Sequence, residues 1–175
     1  RKGIADSVLL KSDIYFLTKY YEQSAAGAFH SLDIYLKIED EENAALCYQK
    51  LGNAYHKIGH ENDALEYYLE SLRYYKKKND DKNAALVYTR IGSVYQVTRD
   101  FQLSIESFQD ALQIYQKLDD KEKSADVLYL IGNVYNWADD MLNCSLYLRK
   151  SKDTARKYGF ETVLMKAYSS LASLY

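Results

Sequence analysis

Apolar and aromatic residues recur at steps of three and four along the chain. Ala44, Tyr48, Leu51, Tyr55 and Ile58 form one stripe, and Ala64, Leu65, Tyr68, Ser71, Leu72 and Tyr75 form the next. Such spacing places each set on one face of an α-helix. Gly59 stands between the stripes, where a left-handed residue would end the first helix. The pattern predicts a helical hairpin, and no alternating run signals a strand.

The hairpin returns at a constant interval. Leu-Gly-Asn-Ala-Tyr from Leu51 reappears as Ile-Gly-Ser-Val-Tyr from Ile91, Ile-Gly-Asn-Val-Tyr from Ile131 and Leu-Ala-Ser-Leu-Tyr from Leu171, always at the same step along the chain. Tyr48, Tyr88 and Tyr168 coincide in this register, and Tyr55 and Ser71 fall back on Tyr15 and Ser31. The whole chain then reads as one repeat domain over 1–175, with units near 4–40, 41–80, 81–120 and 121–160 and a half-unit at 161–175. Acidic residues mark the turns: Glu41, Glu42, Asp80, Asp81, Asp119 and Asp120 are placed to cap or charge helix starts, and Asp100 and Asp140 stand at expected N-caps. Gly52, Gly92 and Gly132 predict a close approach of the second helix, with Tyr55, Tyr95 and Tyr135 filling the gap beside them. The recurrence of Tyr15, Tyr55, Tyr95, Tyr135 and Tyr175 argues for packing in preference to ligand contact.

Tyr48, Leu51, Gly52, Tyr55, Ala64, Tyr68 and Ser71 resemble the signature of the tetratricopeptide repeat, and so do Tyr88, Ile91, Gly92, Tyr95, Ser104, Phe108 and Ala111. A third copy runs through Leu128, Ile131, Gly132, Tyr135, Cys144, Leu148 and Ser151. The resemblance covers essentially the full chain and implies an all-α fold, a right-handed α-solenoid of antiparallel helix pairs. The usual period of that family is about 34 residues, shorter than the step seen here. The extra six fall between Ser71 and Tyr88, about 1.7 helical turns, so this chain resembles a longer-helix form.

Composition then narrows the function. The chain has 175 residues, 47% hydrophobic and 27% charged, with no Pro, so a core is expected. A net charge of −2 argues against nucleic-acid and anionic-membrane partners. No apolar run approaches the ~18 residues of a spanning helix, and no leader opens the chain, so a cytoplasmic location is expected. The chain opens on Arg1 and closes on Tyr175 in mid-repeat, which suggests a slice of a larger bacterial protein. The last half-unit, from Glu161, would leave an apolar face bare and is expected to self-associate.

Candidate chemistry is sparse. A Gly-rich phosphate loop, a nucleophile elbow and a His-Glu-x-x-His motif are all missing from the sequence. His56 and His60 are spaced for a metal clamp, yet Gly59 breaks the helix between them. Cys47 and Cys144 lie more than two repeats apart, beyond the ~7 Å Cα separation of a disulfide, and should be free thiols. The chain is thus expected not to be an enzyme and to carry no cofactor or metal.

What the repeat leaves free is a stripe on each first helix, which the resemblance places on the concave side. Gln49, Thr89 and Tyr129 form one column, and Asp13, Asn53, Ser93 and Asn133 the next. Phe16, His56, Gln96 and Asn136 follow, then Leu17, Lys57, Val97 and Trp137, with Arg90 beside them. A ladder of amides and hydroxyls can bond the backbone of a protein or peptide segment while an aromatic grips a side chain. Equally, Asn53 and Asn133 can bond a neighbouring helix, and Trp137 can cover the adjacent turn. Two functions follow: a peptide-binding scaffold or, again by resemblance, a sensory segment of a bacterial signalling protein such as a histidine kinase, nucleotide cyclase or peptide-responsive regulator.

Overall fold

A computed structural model describes residues 1–174; Tyr175, expected to join the tyrosine column, lies outside the described residues. The described residues form nine α-helices and no strand: α1 (Lys2–Leu17), α2 (Tyr21–Lys37), α3 (Glu41–Ile58), α4 (Glu61–Lys77), α5 (Asp81–Thr98), α6 (Phe101–Lys117), α7 (Lys121–Trp137), α8 (Met141–Tyr158) and α9 (Glu161–Ala172).

The repeat period resolves into two equal steps, each a helix closed by the same stop. Lys19, Glu39, Gly59, Asn79, Arg99, Asp119, Asp139 and Gly159 all adopt positive φ, from 55° to 90°. After each of them an amide reaches back five residues. Tyr20 N–H donates to the Tyr15 carbonyl at 2.8 Å, and Asp40, His60, Asp80, Asp100, Asp120 and Asp140 donate to Tyr35, Tyr55, Tyr75, Tyr95, Tyr115 and Tyr135, each at 2.9 Å. After Gly159 the same bond runs from Phe160 N–H to the Ala155 carbonyl at 2.9 Å. This closure satisfies carbonyls that a helix end would otherwise strand. Its apolar contact is present too, in the Tyr15–Tyr20 and Tyr55–His60 ring pairs at 6.4 and 5.9 Å.

Starts are marked by an Asp-x-x-Asn pair. The amide of Asn43 donates to Asp40 at 3.2 Å, that of Asn83 to Asp80 at 3.0 Å and that of Asn143 to Asp140 at 3.0 Å, and each Asn side chain also donates to its Asp. Asp120 caps α7 through the amide of Lys123. Two expected caps are different: Asp119 takes the left-handed stop, and the Asp100 carboxylate accepts from the Thr98 hydroxyl at 2.5 Å instead of capping α6.

Two compact units divide the chain, Arg1–Arg90 and the residues from Ile91 on. In the first, α1 packs on α2, α2 on α3 and α3 on α4 around Leu9, Leu32, Tyr35, Cys47 and Leu51. In the second, α6 packs on α7, α7 on α8 and α8 on α9, with Ala125, Ala155 and Val163 in one core cluster. Within each unit these helices thus pack against sequence neighbours, the logic of a repeat array.

Glycine sets the approach inside a hairpin. A Cβ on Gly52 would stand 2.6 Å from the Tyr68 ring, one on Gly92 2.8 Å from Phe108, and one on Gly132 2.9 Å from Leu148. The group that fills the gap therefore comes from the second helix. Tyr55, Tyr95 and Tyr135 are half-buried beside it, with Tyr55 stacked on Tyr67 at 5.3 Å and Tyr135 on Tyr147 at 5.5 Å. The buried tyrosine column is another one at the same period, Tyr35, Tyr75 and Tyr115 on the second helices. Across the hairpins, buried serines tie helix to helix: Ser31 donates to the Ala5 carbonyl at 3.0 Å and Ser151 to that of Ala125 at 2.7 Å.

Candidate functional site

In the first unit the polar stripe of α3 is largely committed to the protein itself. Tyr68, fully buried, donates its hydroxyl to Asn53 Oδ1 at 2.7 Å. Burial holds that phenol well above the usual tyrosine range, and the nearby Arg90 charge opposes the shift. His56 Nδ1 lies 2.6 Å from Glu61 Oε2, with both side chains under one-fifth exposed. Lys50, one residue from the stripe, is paired with Asp13 of α1. Thr89 donates to the Ala85 carbonyl at 2.9 Å. Gln49 is half-buried, and its Nε2 is shut from solvent with no hydrogen-bond partner among the described residues. Lys57 and Arg90 are exposed.

The second unit treats the equivalent stripe differently. On α7, Tyr129 is half-buried, with Lys166 Nζ 5.7 Å from its ring centre and paired with Asp126 at 3.1 Å. Asn133 is half-buried one residue after Gly132, and the side chain over that glycine is Leu148, which carries no hydroxyl. Its amide makes no hydrogen bond among the described residues. Asn136 is exposed, and Trp137, the last residue of α7, is 52% exposed. Ser93 and Gln96, on the part of α5 in this unit, are half-buried. The structure thus brings Asn133, Asn136 and Trp137 together on one exposed face, whereas Asn53 and His56 serve the hairpin.

Burial pushes the Cys47 thiol up to about 12 and raises that of Cys144, so both free, buried thiols stay protonated and weakly nucleophilic at neutral pH. Asp40 is held below the usual carboxylate range by Lys2 and then by Asn43, and Asp140 by the amide and side chain of Asn143, which is capping chemistry. His60 faces Asp63 at 3.3 Å, apart from the His56–Glu61 pair. Among the described residues no group of three or more His, Cys, Asp or Glu could hold a metal, and no helix is long and apolar enough to cross a membrane.

On α9, Met165 and Tyr168 are 71% and 44% exposed.

Residues 11–143 match the family model of the soluble NSF attachment proteins, SNAP. None of the curated proteins compared with the chain matches it significantly. Among solved structures, it is similar to aspartyl phosphate phosphatase F of Bacillus subtilis, with a TM-score of 0.88 at 15% identity over 96% of this chain and 44% of that one. A signal transduction ATPase with numerous domains from Pyrococcus horikoshii, which has a tetratricopeptide repeat sensor, gives 0.88 at 17% identity over 98% of this chain and 27% of that one. A Rap protein complexed with Competence and Sporulation Factor gives 0.78 at 16% identity, over 96% of this chain and 47% of that one. The chain therefore spans less than half the length of each of these three. Likeness at such identities shows the fold alone, an all-α solenoid of tetratricopeptide type.

Proposed function

The chain belongs to the soluble NSF attachment protein family, and on that premise we propose that it is a non-catalytic scaffold that binds a protein or peptide segment on the polar stripe of its first helices. We read it as a long-period form of the tetratricopeptide array, from a bacterial, cytoplasmic protein. The observation that carries the binding reading is the face of α7, where Asn133 and Asn136 have amides unspent on the fold and Trp137 is half exposed. An amide can both donate to and accept from a peptide backbone, which tolerates many sequences, and an indole beside it supplies an apolar anchor. Gln96 and Tyr129 extend the same surface chemistry within the second unit. Gln49, Thr89, Lys57 and Arg90 are the corresponding set of the first unit, in a subsidiary role because Asn53 and His56 are already engaged.

The test is a pull-down with the parent chain, an Asn53→Ala variant and an Asn133→Ala, Asn136→Ala, Trp137→Ala variant, all first matched for helicity. A segment held by the parent and by Asn53→Ala should bind the triple variant at least about tenfold more weakly, since each hydrogen bond contributes ~1 kcal/mol and an aromatic anchor adds to it. Equal capture by all three would sink the α7 site.

A second reading, a sensory segment of a larger signalling protein, is supported by the likeness to a protein whose name includes a tetratricopeptide repeat sensor. A kinase, cyclase or DNA-binding segment in the same reading frame would favour it.

A further inference from the structure

Away from the polar stripe, the first unit carries a cleft of about 700 Å³ between α2 and the turn that joins α3 to α4. Ala25, Ala26 and Ile58 give it an apolar part. Phe29 lines it too, 57% exposed although large and apolar. Tyr55 also lines it, its ring packed against Tyr67 at 5.3 Å and His60 at 5.9 Å. His30 and His60 also line the cleft, and its formally charged lining residues at neutral pH are of one sign. Glu22 and Asp33 are carboxylates, and no Lys or Arg lines the cleft. Asp33 shares its charge with Lys37, one turn further along α2, while Glu22 has no ion-pair partner among the described residues.

Carboxylates on a helix surface do not by themselves make a site. Here they share the lining with an exposed phenylalanine, a tyrosine and apolar side chains, and that combination favours one chemistry. An aliphatic stem can lie on Ala25 and Ile58 while its cationic head meets a ring face and a carboxylate. An anion would be repelled, and a neutral apolar group would strip water from Glu22 without replacing it. We propose that this cleft receives a Lys or Arg side chain carried by a basic segment of a partner protein. The site is separate from the α7 face, so either proposal can fail without the other.

The probe is a peptide of alternating Ser and Lys, compared with its norleucine counterpart, with binding followed through the NMR signals of Phe29 and Tyr55. The lysine peptide should shift both rings saturably and the norleucine peptide should not. Glu22→Gln combined with Phe29→Ala, both at exposed positions, should weaken the lysine peptide about tenfold with helicity unchanged. The Asn133→Ala, Asn136→Ala, Trp137→Ala chain should bind it like the parent. Shifts that fail to saturate, persist in the Glu22/Phe29 variant or appear equally with norleucine would overturn the proposal. Tetramethylammonium binding as tightly as the peptide would overturn the polypeptide source.

Discussion

The hairpins α3–α4 and α7–α8 are written on one template and finished in opposite ways. Each sets a glycine under a large side chain of its second helix, Gly52 under Tyr68 and Gly132 under Leu148. In α3–α4 the large side chain has a hydroxyl, which Asn53 accepts, and His56 is held by Glu61. In α7–α8 the hydroxyl is gone, and the places of His56 and Glu61 are taken by Asn136 and Met141, both exposed. Packing is conserved between the two while polar groups are closed inward in one and left open in the other. A change on the opposing helix is therefore enough to engage such a position in the fold or leave it free, with the position itself left as Asn.

The largest way to break the comparison is to attack what both hairpins share. Gly92→Leu, in the α5–α6 contact, would drive a side chain into the Phe108 ring, which a Cβ alone would already approach at 2.8 Å. We expect a loss of about 3 kcal/mol by overpacking, read as a lowered denaturant midpoint. An unchanged midpoint would place the hairpin contact elsewhere.

A smaller pair of changes exchanges the two finishes. Tyr68→Phe removes the hydroxyl and leaves Asn53 to solvent, with an expected cost of about 1 kcal/mol in chemical denaturation. Leu148→Tyr offers Asn133 the partner it lacks, and should lower binding at the α7 face severalfold while leaving the helix content intact. Should Leu148→Tyr bind as well as the parent, the free amide of Asn133 is not what the ligand reads.

The helices and their register were legible because a helical stripe that returns at one fixed period can be satisfied by few other folds. The glycine contact was legible too, although the sequence suggested Tyr55 as its filler where the structure uses Tyr68. Both tyrosines sit at helical spacing, and a stripe does not reveal which member lies at the centre of the contact. For the same reason Tyr75 reads as an ordinary stripe member, although with Tyr35 and Tyr115 it forms the buried column. The site was half legible: Asn53 and Asn133 occupy one column, and only the residue across the hairpin separates their roles. That signal was present in the aligned copies as Tyr68, Phe108 and Leu148, but it carries meaning only once these are known to face the glycine.

Least legible of all were the helix stops, and they supply the smallest effect. Only Gly59 and Gly159 of the eight left-handed stops are glycines, and Arg99 adopts φ 66° with a full side chain. An L-residue in that region costs roughly 1–2 kcal/mol, little enough for the hydrogen bond from Asp100 to Tyr95 and the packing of both flanking helices to override. Arg99→Gly should remove that strain but give the unfolded chain more freedom, for a net gain of about 0.5 kcal/mol. Gly59→Ala runs the exchange in reverse, with strain outweighing the freedom removed from the unfolded chain, and should lose about 1 kcal/mol. Thermal melts of the two variants should move in opposite directions. If both move downward, the Arg99 side chain contributes a contact that outweighs its backbone strain, and the equivalence of the eight stops fails at that turn.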